Sequence, residues 1–361
     1  MSANITPEQD IDGRYFDHIV VGGGAAGCVV AARLSERGDR DVLLLEAGAP
    51  DTDPAIFAPR GVSQLQRGEH DWCDVTVPQP ALGGREVPVS AGRVLGGGGS
   101  INFLAWYRGH RLDYDGWAAN GMPGWSWSEV LPRFRRSEDH ELGTSPLHGS
   151  GGPIPVTTAK SIHPMSLAFI AAGVEAGLPF NRDFNGAELE GVGLLSSNVG
   201  AGERVSTAHG YLRPVRNRPH LSVHTHALVQ RVVLHHGAAR GVVFTTADGR
   251  EVSVRGPRWC CARDHCVPRN SSCSPASARP GTCGTWESRW SGTCPASART
   301  CTTTPRRPLP GRSSTGPPGR TTTPRTTGSA TPTNGAVRWR RSVRRAGSCA
   351  AAGTRPLPTS S

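Results

Sequence analysis

Residues 17–27, Asp-His-Ile-Val-Val-Gly-Gly-Gly-Ala-Ala-Gly, decide the fold of this chain. A short β-branched run at residues 17–21 leads directly into the glycines, and residues 28–37 then carry small and apolar side chains at helical spacing. A second apolar run follows at residues 41–45 and ends on Glu46. This order of strand, glycine-rich turn, helix and strand predicts a βαβ unit of the kind that binds dinucleotides.

Each glycine of the turn has a separate physical task. Gly22 permits the tight turn, Gly24 lets the backbone approach a pyrophosphate, and Gly27 allows the helix to pack closely on the strand. The helix N-terminus adds unpaired N–H groups that suit phosphates. Glu46, 19 residues after Gly27, offers a carboxylate to both hydroxyls of an adenosine ribose and repels a 2′-phosphate. The motif therefore predicts an adenine dinucleotide without that phosphate, and at this point it leaves FAD and NAD open.

A second glycine-rich segment, residues 92–102, reads Gly-Arg-Val-Leu-Gly-Gly-Gly-Gly-Ser-Ile-Asn. Four successive glycines expose backbone N–H groups and suit the close approach of a flat ring or a pyrophosphate. On composition alone, a flexible loop is the alternative. Order and spacing favour a binding site instead of a loop, because Trp106, Gly109 and Asp115 follow at the positions that a known family signature requires. The segment resembles the first signature of the glucose–methanol–choline (GMC) oxidoreductases.

The resemblance to the GMC family extends over residues 15–254. Residues 17–48, 72–80, 183–186 and 211–214 are also similar to that family. The resemblance implies a flavoenzyme that binds FAD and oxidises a small-molecule alcohol to an aldehyde or ketone. Choline, a long-chain alcohol, a polyol and an aromatic alcohol all remain open as substrates, and so does the choice between oxidase and dehydrogenase.

The resemblance also implies which residues hold FAD. Carried over by position, the first glycine turn cradles the pyrophosphate and Glu46 holds the ribose. Val94 and the segment at residues 100–105 border the flavin, and the backbone of Val229 meets the adenine. The full set of implied cofactor-binding residues is Gly22, Gly24, Ala25, Ala26, Gly27, Glu46, Val94, Ser100, Asn102, Phe103, Leu104, Ala105 and Val229.

The fold implied is α/β, with a Rossmann-like FAD-binding domain interleaved along the chain with an α+β substrate domain. We expect the first part of the FAD-binding domain at residues 1–150 and part of the substrate domain at residues 151–220. Strands of the FAD-binding domain are expected at residues 221–257. Within them, residues 221–234 and 241–254 alternate in polarity and predict two strands.

Residues 258–361 form a tail of different composition. The tail holds 17 Arg, one Asp and one Glu, and its only large aliphatic residues are Val267, Leu309, Val337, Val343 and Leu357. Such a segment cannot build a core, so we expect a disordered, low-complexity tail and a truncated fold before it. The tail also accounts for the positive charge of the chain: it carries a formal charge of +15, whereas residues 1–257 are mildly acidic at −4, and the whole chain carries +11.

We interpret this tail as the product of a slip of the reading frame. A single Lys against 39 Arg in the chain indicates a GC-rich gene. A one-base shift from residue 259 onward permits the second GMC signature, Ser-Pro-x-Leu-Leu-x-x-Ser-Gly-Ile-Gly-Pro, so we place the slip between residues 254 and 259. In the family the catalytic base is a histidine near the C-terminus. We therefore name no catalytic residue and expect the chain to be inactive as it stands.

Two alternatives take the tail at face value. Its arginines would bind a nucleic acid through phosphate contacts, but they are scattered among Pro and Thr without interleaved stacking aromatics, so we expect no nucleic-acid partner. Its eight cysteines would form a disulfide or zinc module, but Cys260 and Cys261 are adjacent and no pair of CxxC sites is present. We also expect no metal at four histidines of the preceding segment, His224, His226, His235 and His236.

The first residues predict neither a signal peptide nor a membrane span. The first 15 residues are polar, and the apolar run at residues 19–21 is too short for either. Only Cys28 and Cys73 precede the tail, which is typical of a thiol-poor cytosolic protein. We expect a cytoplasmic protein, and the sequence leaves its oligomeric state open.

Overall fold

The computed structural model describes residues 10–236 and 238–262, together with the backbone of a two-residue strand at Trp339–Arg340. Its helices are α1 (Ala25–Leu34), α2 (Pro54–Phe57), α3 (Val62–Leu65), α4 (Gly98–Ile101), α5 (Arg111–Ala119), α6 (Trp127–Ser137) and α7 (Pro164–Glu175). Single turns of 3₁₀-helix lie at Pro80–Leu82 and Arg213–Val215, and a π-helical turn lies at Ala208–Leu212.

The strands are β1 (His18–Val21), β2 (Val42–Leu45), β3 (Asp74–Thr76), β4 (Pro88–Val89), β5 (Glu138–His140), β6 (Ile154–Thr158), β7 (Ser196–Ser197), β8 (Val199–Gly200), β9 (Glu203–Arg204), β10 (Leu221–His224), β11 (Leu228–His235), β12 (Ala238–Thr245), β13 (Glu251–Arg255), β14 (Arg258–Cys261) and β15 (Trp339–Arg340). The smaller sheets have the orders β15-β3-β4, β5-β6-β7 and β8-β9. Of the helices within the described residues, none has the length and apolar character that a membrane crossing requires.

A four-stranded parallel sheet organises the fold. Its order is β10-β2-β1-β14, and Val20 of β1 lies beside Leu44 on one side and Cys260 on the other. Every residue of β1 and β2 is buried, as expected where both faces of a parallel sheet are covered. The sheet and its helices confirm the α/β class predicted from the sequence.

The two faces of this sheet are covered by different elements. Helix α1 packs on one face, where Cys28 and Ala31 share a core with Val20, Val42 and Leu44. Alternate side chains of a strand point to opposite sides of its sheet, so the remaining residues of β1 and β2 face the other side. There the antiparallel sheet β11-β12-β13 packs against them. The second core contains Ile19, Val21, Leu43, Leu45, Val229, Val242, Phe244, Val252 and Val254. The result is three layers with the parallel sheet in the middle.

The prediction of two strands in residues 221–254 is wrong, because each of them is split. His226 has a φ of 55° and its N–H bonds to the carbonyl oxygen of Gly48. The chain therefore leaves the parallel sheet after β10 and enters the antiparallel sheet with β11. A turn containing Gly249, with a φ of 85°, separates β12 from β13. Alternation of polarity does not show either break, since the first one depends on a contact with a distant residue.

The boundary expected between residues 257 and 258 lies next to a strand of the central sheet. Residues 258–261 form β14 beside β1, Trp259 packs against the core of the antiparallel side, and Ala262 packs against the core of the helical side. Apart from residues 258–262 and β15, the tail, with its expected disorder and frame slip, lies outside the described residues. The division into domains stays a prediction.

A buried cluster of charges joins the segments that follow the central βαβ unit. Glu138 is fully buried and accepts hydrogen bonds from Arg108 Nη2 at 2.5 Å and from the Gly149 N–H at 3.0 Å. His148 lies between two carboxylates, with Nδ1 3.2 Å from Glu138 Oε1 and Nε2 2.7 Å from Asp183 Oδ2. Since both ring nitrogens face acceptors, the imidazole is held as a cation.

Mutual attraction shifts the pKa values of this cluster in opposite directions. Hydrogen bonds to Asp183 and Glu138 outweigh burial and raise the pKa of His148 to about 9. Burial raises the pKa of Glu138, but hydrogen bonds from His148, Gly149 and Arg108 outweigh it and lower that pKa to about 2. Because the pKa of His148 is above its unfolded value of 6.5, its contribution to stability is complete below that pH and is lost as the pH rises toward 9.

Replacing His148 with Gln is expected to remove this part of the pH dependence. In the wild-type chain, the free energy of unfolding falls as the pH rises from 6.5 to about 9. In His148→Gln, the stability is lower at pH 6 and falls less over the same interval. Urea unfolding at several pH values measures both quantities.

The matched control for this experiment is His220→Gln. His220 lies 3.2 Å from Asp41, but its side chain is 44% exposed, and exposed pairs contribute little. The control variant should keep the slope of the wild-type chain. Equal slopes in His148→Gln and the wild-type chain would contradict the assignment of a buried imidazolium.

Candidate functional site

The turn between β1 and α1 has a conformation that its glycines impose. Gly22 has a φ of 98°, and its N–H bonds to the carbonyl oxygen of Leu45 at 2.8 Å. A Cβ atom on Gly27 would lie 1.8 Å from the carbonyl oxygen of Gly22. Neither position tolerates a side chain without a backbone shift, so the turn holds α1 tightly against β1.

The N-terminus of α1 faces open space. Gly24 is the N-cap residue with extended backbone, no side chain caps the helix, and its first turn holds no acidic residue. A Cβ atom on Gly24 would come no closer than 4.0 Å to any atom, the nearest being Gly97 Cα. Uncapped N–H groups and the positive end of the helix dipole favour an anionic ligand at this position.

Glu46 lies at the carboxyl end of β2 and is buried. Its Oε2 accepts a hydrogen bond from the Gly23 N–H at 2.6 Å, and its Oε1 accepts one from the Gly48 N–H at 2.7 Å. These bonds fix the carboxylate between the loops that follow β1 and β2. A carboxylate has about four lone-pair sites, so it can accept further hydrogen bonds from hydroxyl groups.

The second glycine segment packs directly on the first. The Gly96 N–H bonds to the carbonyl oxygen of Gly23 at 2.7 Å. Gly96 and Gly97 both have positive φ, at 89° and 56°, and a Cβ atom on Gly97 would lie 2.8 Å from Gly24 Cα. The two segments thus meet backbone to backbone.

A cleft of about 320 Å³ lies between these segments, at the carboxyl ends of the central strands. Open parallel sheets bind ligands at this edge. Residues 227–229 supply apolar side chains to the lining, and six of its sixteen residues are glycines. The lining residues are Val21, Gly22, Gly24, Ala25, Leu45, Glu46, Ala47, Trp72, Gly92, Gly97, Gly98, Gly99, Ala227, Leu228, Val229 and Ala262.

The structure brings five of the thirteen predicted cofactor-binding residues together in this cleft, namely Gly22, Gly24, Ala25, Glu46 and Val229. The other eight do not line it: Ala26, Gly27, Val94, Ser100, Asn102, Phe103, Leu104 and Ala105. Val94 and Ser100 are fully buried behind the glycine segment, whereas Phe103 is 75% exposed. None of the positions expected to border the flavin therefore lines the cleft.

Sequence reasoning missed several residues of the cleft. Trp72 lines it and is covered by the guanidinium of Arg93, 5.1 Å from the ring centre. Ala262 lines it as well, although it falls within the tail predicted at residues 258–361. Two signals mark Trp72: it is an aromatic residue before a short strand, and it begins residues 72–80, which resemble the GMC family. Ala262 carries no signal, because its position depends on the pairing of β14 with β1.

Cys28 lies beneath the glycine turn. Its thiol is fully buried and lies 3.1 Å from the carbonyl oxygen of Gly23, to which it donates. Burial raises the pKa of this thiol to about 12, so the thiolate is absent at neutral pH and Cys28 is no nucleophile.

Two groups of side chains in the described residues have the composition of a metal site: His140, His148 and Asp183, and Asp53, Glu69 and His70. In the first group, both ring nitrogens of His148 face carboxylates, and a protonated imidazole cannot bind a metal. In the second, Glu69 is 84% exposed, whereas His70 bonds to Asp53 at 3.0 Å. In both arrangements a histidine nitrogen is already engaged with a carboxylate. Neither contains the histidines considered from the sequence, at positions 224, 226, 235 and 236.

Comparison with known proteins identifies similar chains. An oxygen-dependent choline dehydrogenase of Paraburkholderia phytofirmans is 42% identical over 235 residues, which cover 63% of this chain and 42% of that protein. Pyridoxine 4-oxidase from Mesorbium loti has a similar structure, with a TM-score of 0.63 and 38% identity over 66% of this chain and 48% of that one. An FAD-dependent oxidoreductase from Chaetomium thermophilum has a TM-score of 0.62 and 30% identity over 67% and 44%. The chain spans less than half the length of each of these relatives.

The family itself is decided by the match to a family model. The model described as GMC oxidoreductase matches residues 16–263, well over half of the chain and nine residues beyond the resemblance seen in the sequence. Members of this family are FAD-dependent enzymes that act on alcohols. The chain therefore belongs to the GMC oxidoreductase family.

Proposed function

We propose that this chain binds FAD in the cleft and forms the FAD-binding part of an enzyme that oxidises the CH–OH group of a small-molecule alcohol. One observation carries the proposal. The two glycine segments meet backbone to backbone at the carboxyl ends of the parallel strands, with the fixed carboxylate of Glu46 beside them. This arrangement combines a place for a pyrophosphate with a partner for ribose hydroxyls.

The first glycine segment fits the pyrophosphate of a dinucleotide. The missing Cβ of Gly24 leaves space at the uncapped N-terminus of α1, and no acidic side chain of the first turn opposes an anion. In our proposal, the N–H groups of Gly24 and Ala25 bind the phosphate oxygens. The helix dipole adds to this attraction.

The other end of the cleft fits an adenosine. The Glu46 carboxylate is already fixed by two backbone N–H groups, so it is oriented before a ribose hydroxyl donates to it. Its negative charge disfavours a 2′-phosphate. Ala227, Leu228 and Val229 supply an apolar wall against which an adenine ring packs.

When bound, FAD supplies the redox chemistry, acceptance of a hydride from the alcohol carbon. The residues of this chain bind it, orient it and exclude water from its polar groups. We propose that Val94 and the segment at residues 100–105 border the flavin. No histidine lines the cleft among the described residues, and we name none of those residues as the base that takes the alcohol proton.

Choline is the first alcohol to test. The relatives that share about 40% identity with this chain are named oxygen-dependent choline dehydrogenases. Pyridoxine, which also carries hydroxymethyl groups, is the second, because pyridoxine 4-oxidase shares 38% identity and the fold. The common feature of both is a CH–OH carbon that is oxidised to a carbonyl.

Replacing Gly24 with Ala tests the pyrophosphate site. The new methyl group has space in the free protein, and Ala in place of Gly at an N-cap costs no more than about 1 kcal/mol. The same methyl group occupies the position where the phosphate approaches the backbone. We expect the affinity for FAD, measured by quenching of flavin fluorescence, to fall about tenfold or more, with little change in melting temperature.

Two further glycine variants serve as controls. Gly116 lies in α5, and a Cβ atom there meets nothing within 4 Å, so Gly116→Ala should bind FAD as the wild-type chain does. Gly27→Ala forces a contact with the carbonyl oxygen of Gly22, and it should lower the melting temperature as well as the affinity. Wild-type affinity for FAD in Gly24→Ala would contradict the proposed site.

A second experiment tests activity and the proposed frame slip together. The 361-residue chain and a version with the reading frame restored after residue 254 are assayed for dye reduction by choline and by pyridoxine. We expect alcohol-dependent reduction from the restored version and none above background from the 361-residue chain. Alcohol-dependent dye reduction by the 361-residue chain at the rate of the restored version would show that residues 258–361 are functional as they stand.

A further inference from the structure

Arg204 is the largest side chain that is fully buried in the described residues, with 1% of it exposed. It lies in β9, the second strand of the hairpin β8-β9. Arginine is almost never fully buried unless it is paired. Its position therefore requires a physical explanation that the dinucleotide motif does not provide.

The guanidinium donates to three acceptors on two short helices, α2 and α4. Nε donates to the carbonyl oxygen of Ile56 in α2 at 2.8 Å, and Nη1 donates to that of Gly99 in α4 at 3.2 Å. Nη1 also donates to Oδ1 of Asn102, the residue that ends α4, at 2.8 Å. A guanidinium suits this role, because it is planar and presents several donors in a fixed geometry.

No carboxylate of the described residues pairs with this charge. Burial alone lowers the pKa of Arg204 to about 10, which still leaves the group charged at neutral pH. Nη2 is buried and has no hydrogen-bond partner among the described residues. An unpaired buried cation is costly, and apolar residues of similar volume are often at least as stable. Folding alone therefore gives no reason for this arginine.

The contacts of Arg204 instead determine the shape of the cleft wall. Gly99 lines the cleft. Asn102 Oδ1 also accepts a hydrogen bond from the Leu104 N–H at 3.0 Å, and Leu104 has a φ of 62°, a conformation that is strained for a residue other than glycine. Between them, Phe103 extends outward with 75% of its surface exposed. The hydrogen bonds of Arg204 and Asn102 thus fix the path of the backbone from α4 to Phe103.

We propose that Arg204 is a positioning residue for the flavin half of the cleft, holding α2, α4 and Asn102 in one arrangement from behind the wall. This inference rests on the proposed function, because it assumes that FAD occupies the cleft. It concerns the segment at residues 98–104, of which Gly98 and Gly99 line the cleft, and leaves the adenosine half, with Glu46 and Val229, unaffected.

The experiment compares the affinities of Arg204 variants for FAD and for ADP. ADP contains only the half of the dinucleotide that the Glu46 end holds, so it reports on general damage to the fold. In Arg204→Met, the affinity for FAD should fall about tenfold while the affinity for ADP stays within about twofold of wild type. Arg204→Lys keeps the charge but not the planar fork, so it should show an intermediate loss.

Asn102→Ala gives an independent variant if Arg204→Met fails to fold. It removes the acceptor that Arg204 and Leu104 share, and it should lower the affinity for FAD without changing that for ADP. In the double variant, the loss should be about as large as in either single variant, because both act on one arrangement.

Arg218→Met is the matched control. Arg218 is also partly buried and donates to the carbonyl oxygen of Ala32 and to Ser35 Oγ, but it does not line the cleft. The Arg218→Met variant should bind FAD and ADP with the affinities of the wild-type chain. Wild-type FAD affinity in Arg204→Met, or an equal loss of FAD and ADP affinity, would overturn the inference. A wild-type chain that binds ADP but not FAD would overturn the proposed function and this inference with it.

Discussion

The backbone contact between residues 23–24 and residues 96–97 is the constraint on which the rest of this structure depends. In this contact the Gly96 N–H donates to the carbonyl oxygen of Gly23 at 2.7 Å. The backbones of Gly24 and Gly97 lie so close that a Cβ atom on Gly97 would be 2.8 Å from Gly24 Cα. The contact joins two segments more than 70 residues apart in the chain. Because both segments lack side chains there, no Cβ atom fills the space beside the contact, and a cleft forms instead of a packed core.

The three layers of the fold place this contact at one edge. Helix α1 and the antiparallel sheet cover the two faces of the parallel sheet, so polar ligands have access only at the ends of the strands. At the carboxyl ends, the loops after β1 and β2 are held together by Glu46. Arg204 holds the opposite wall through the carbonyl oxygens of two short helices. Glu46 and Arg204, two charged side chains that are bonded to backbone groups, thus hold the segments on the two sides of the cleft in place.

Local chemistry made part of this arrangement predictable from sequence. The βαβ unit, its glycine turn and Glu46 lie within 30 residues, and each is specified by its neighbours in the chain. The break at His226, the strand β14, and the places of Trp72 and Ala262 were not predictable. They depend on contacts between distant segments, such as the bond from His226 to Gly48. The role of Arg204 was equally hidden, because an arginine in a polar turn is typical of an exposed position.

A crystal structure of the chain grown with FAD tests the central claim, that the cleft between the two glycine segments holds the dinucleotide. Our account predicts the pyrophosphate at the N-terminus of α1, beside Gly24. It also predicts an adenosine ribose hydroxyl within hydrogen-bond distance of the Glu46 carboxylate. A dinucleotide bound elsewhere, or one whose ribose lies away from Glu46, would contradict the account.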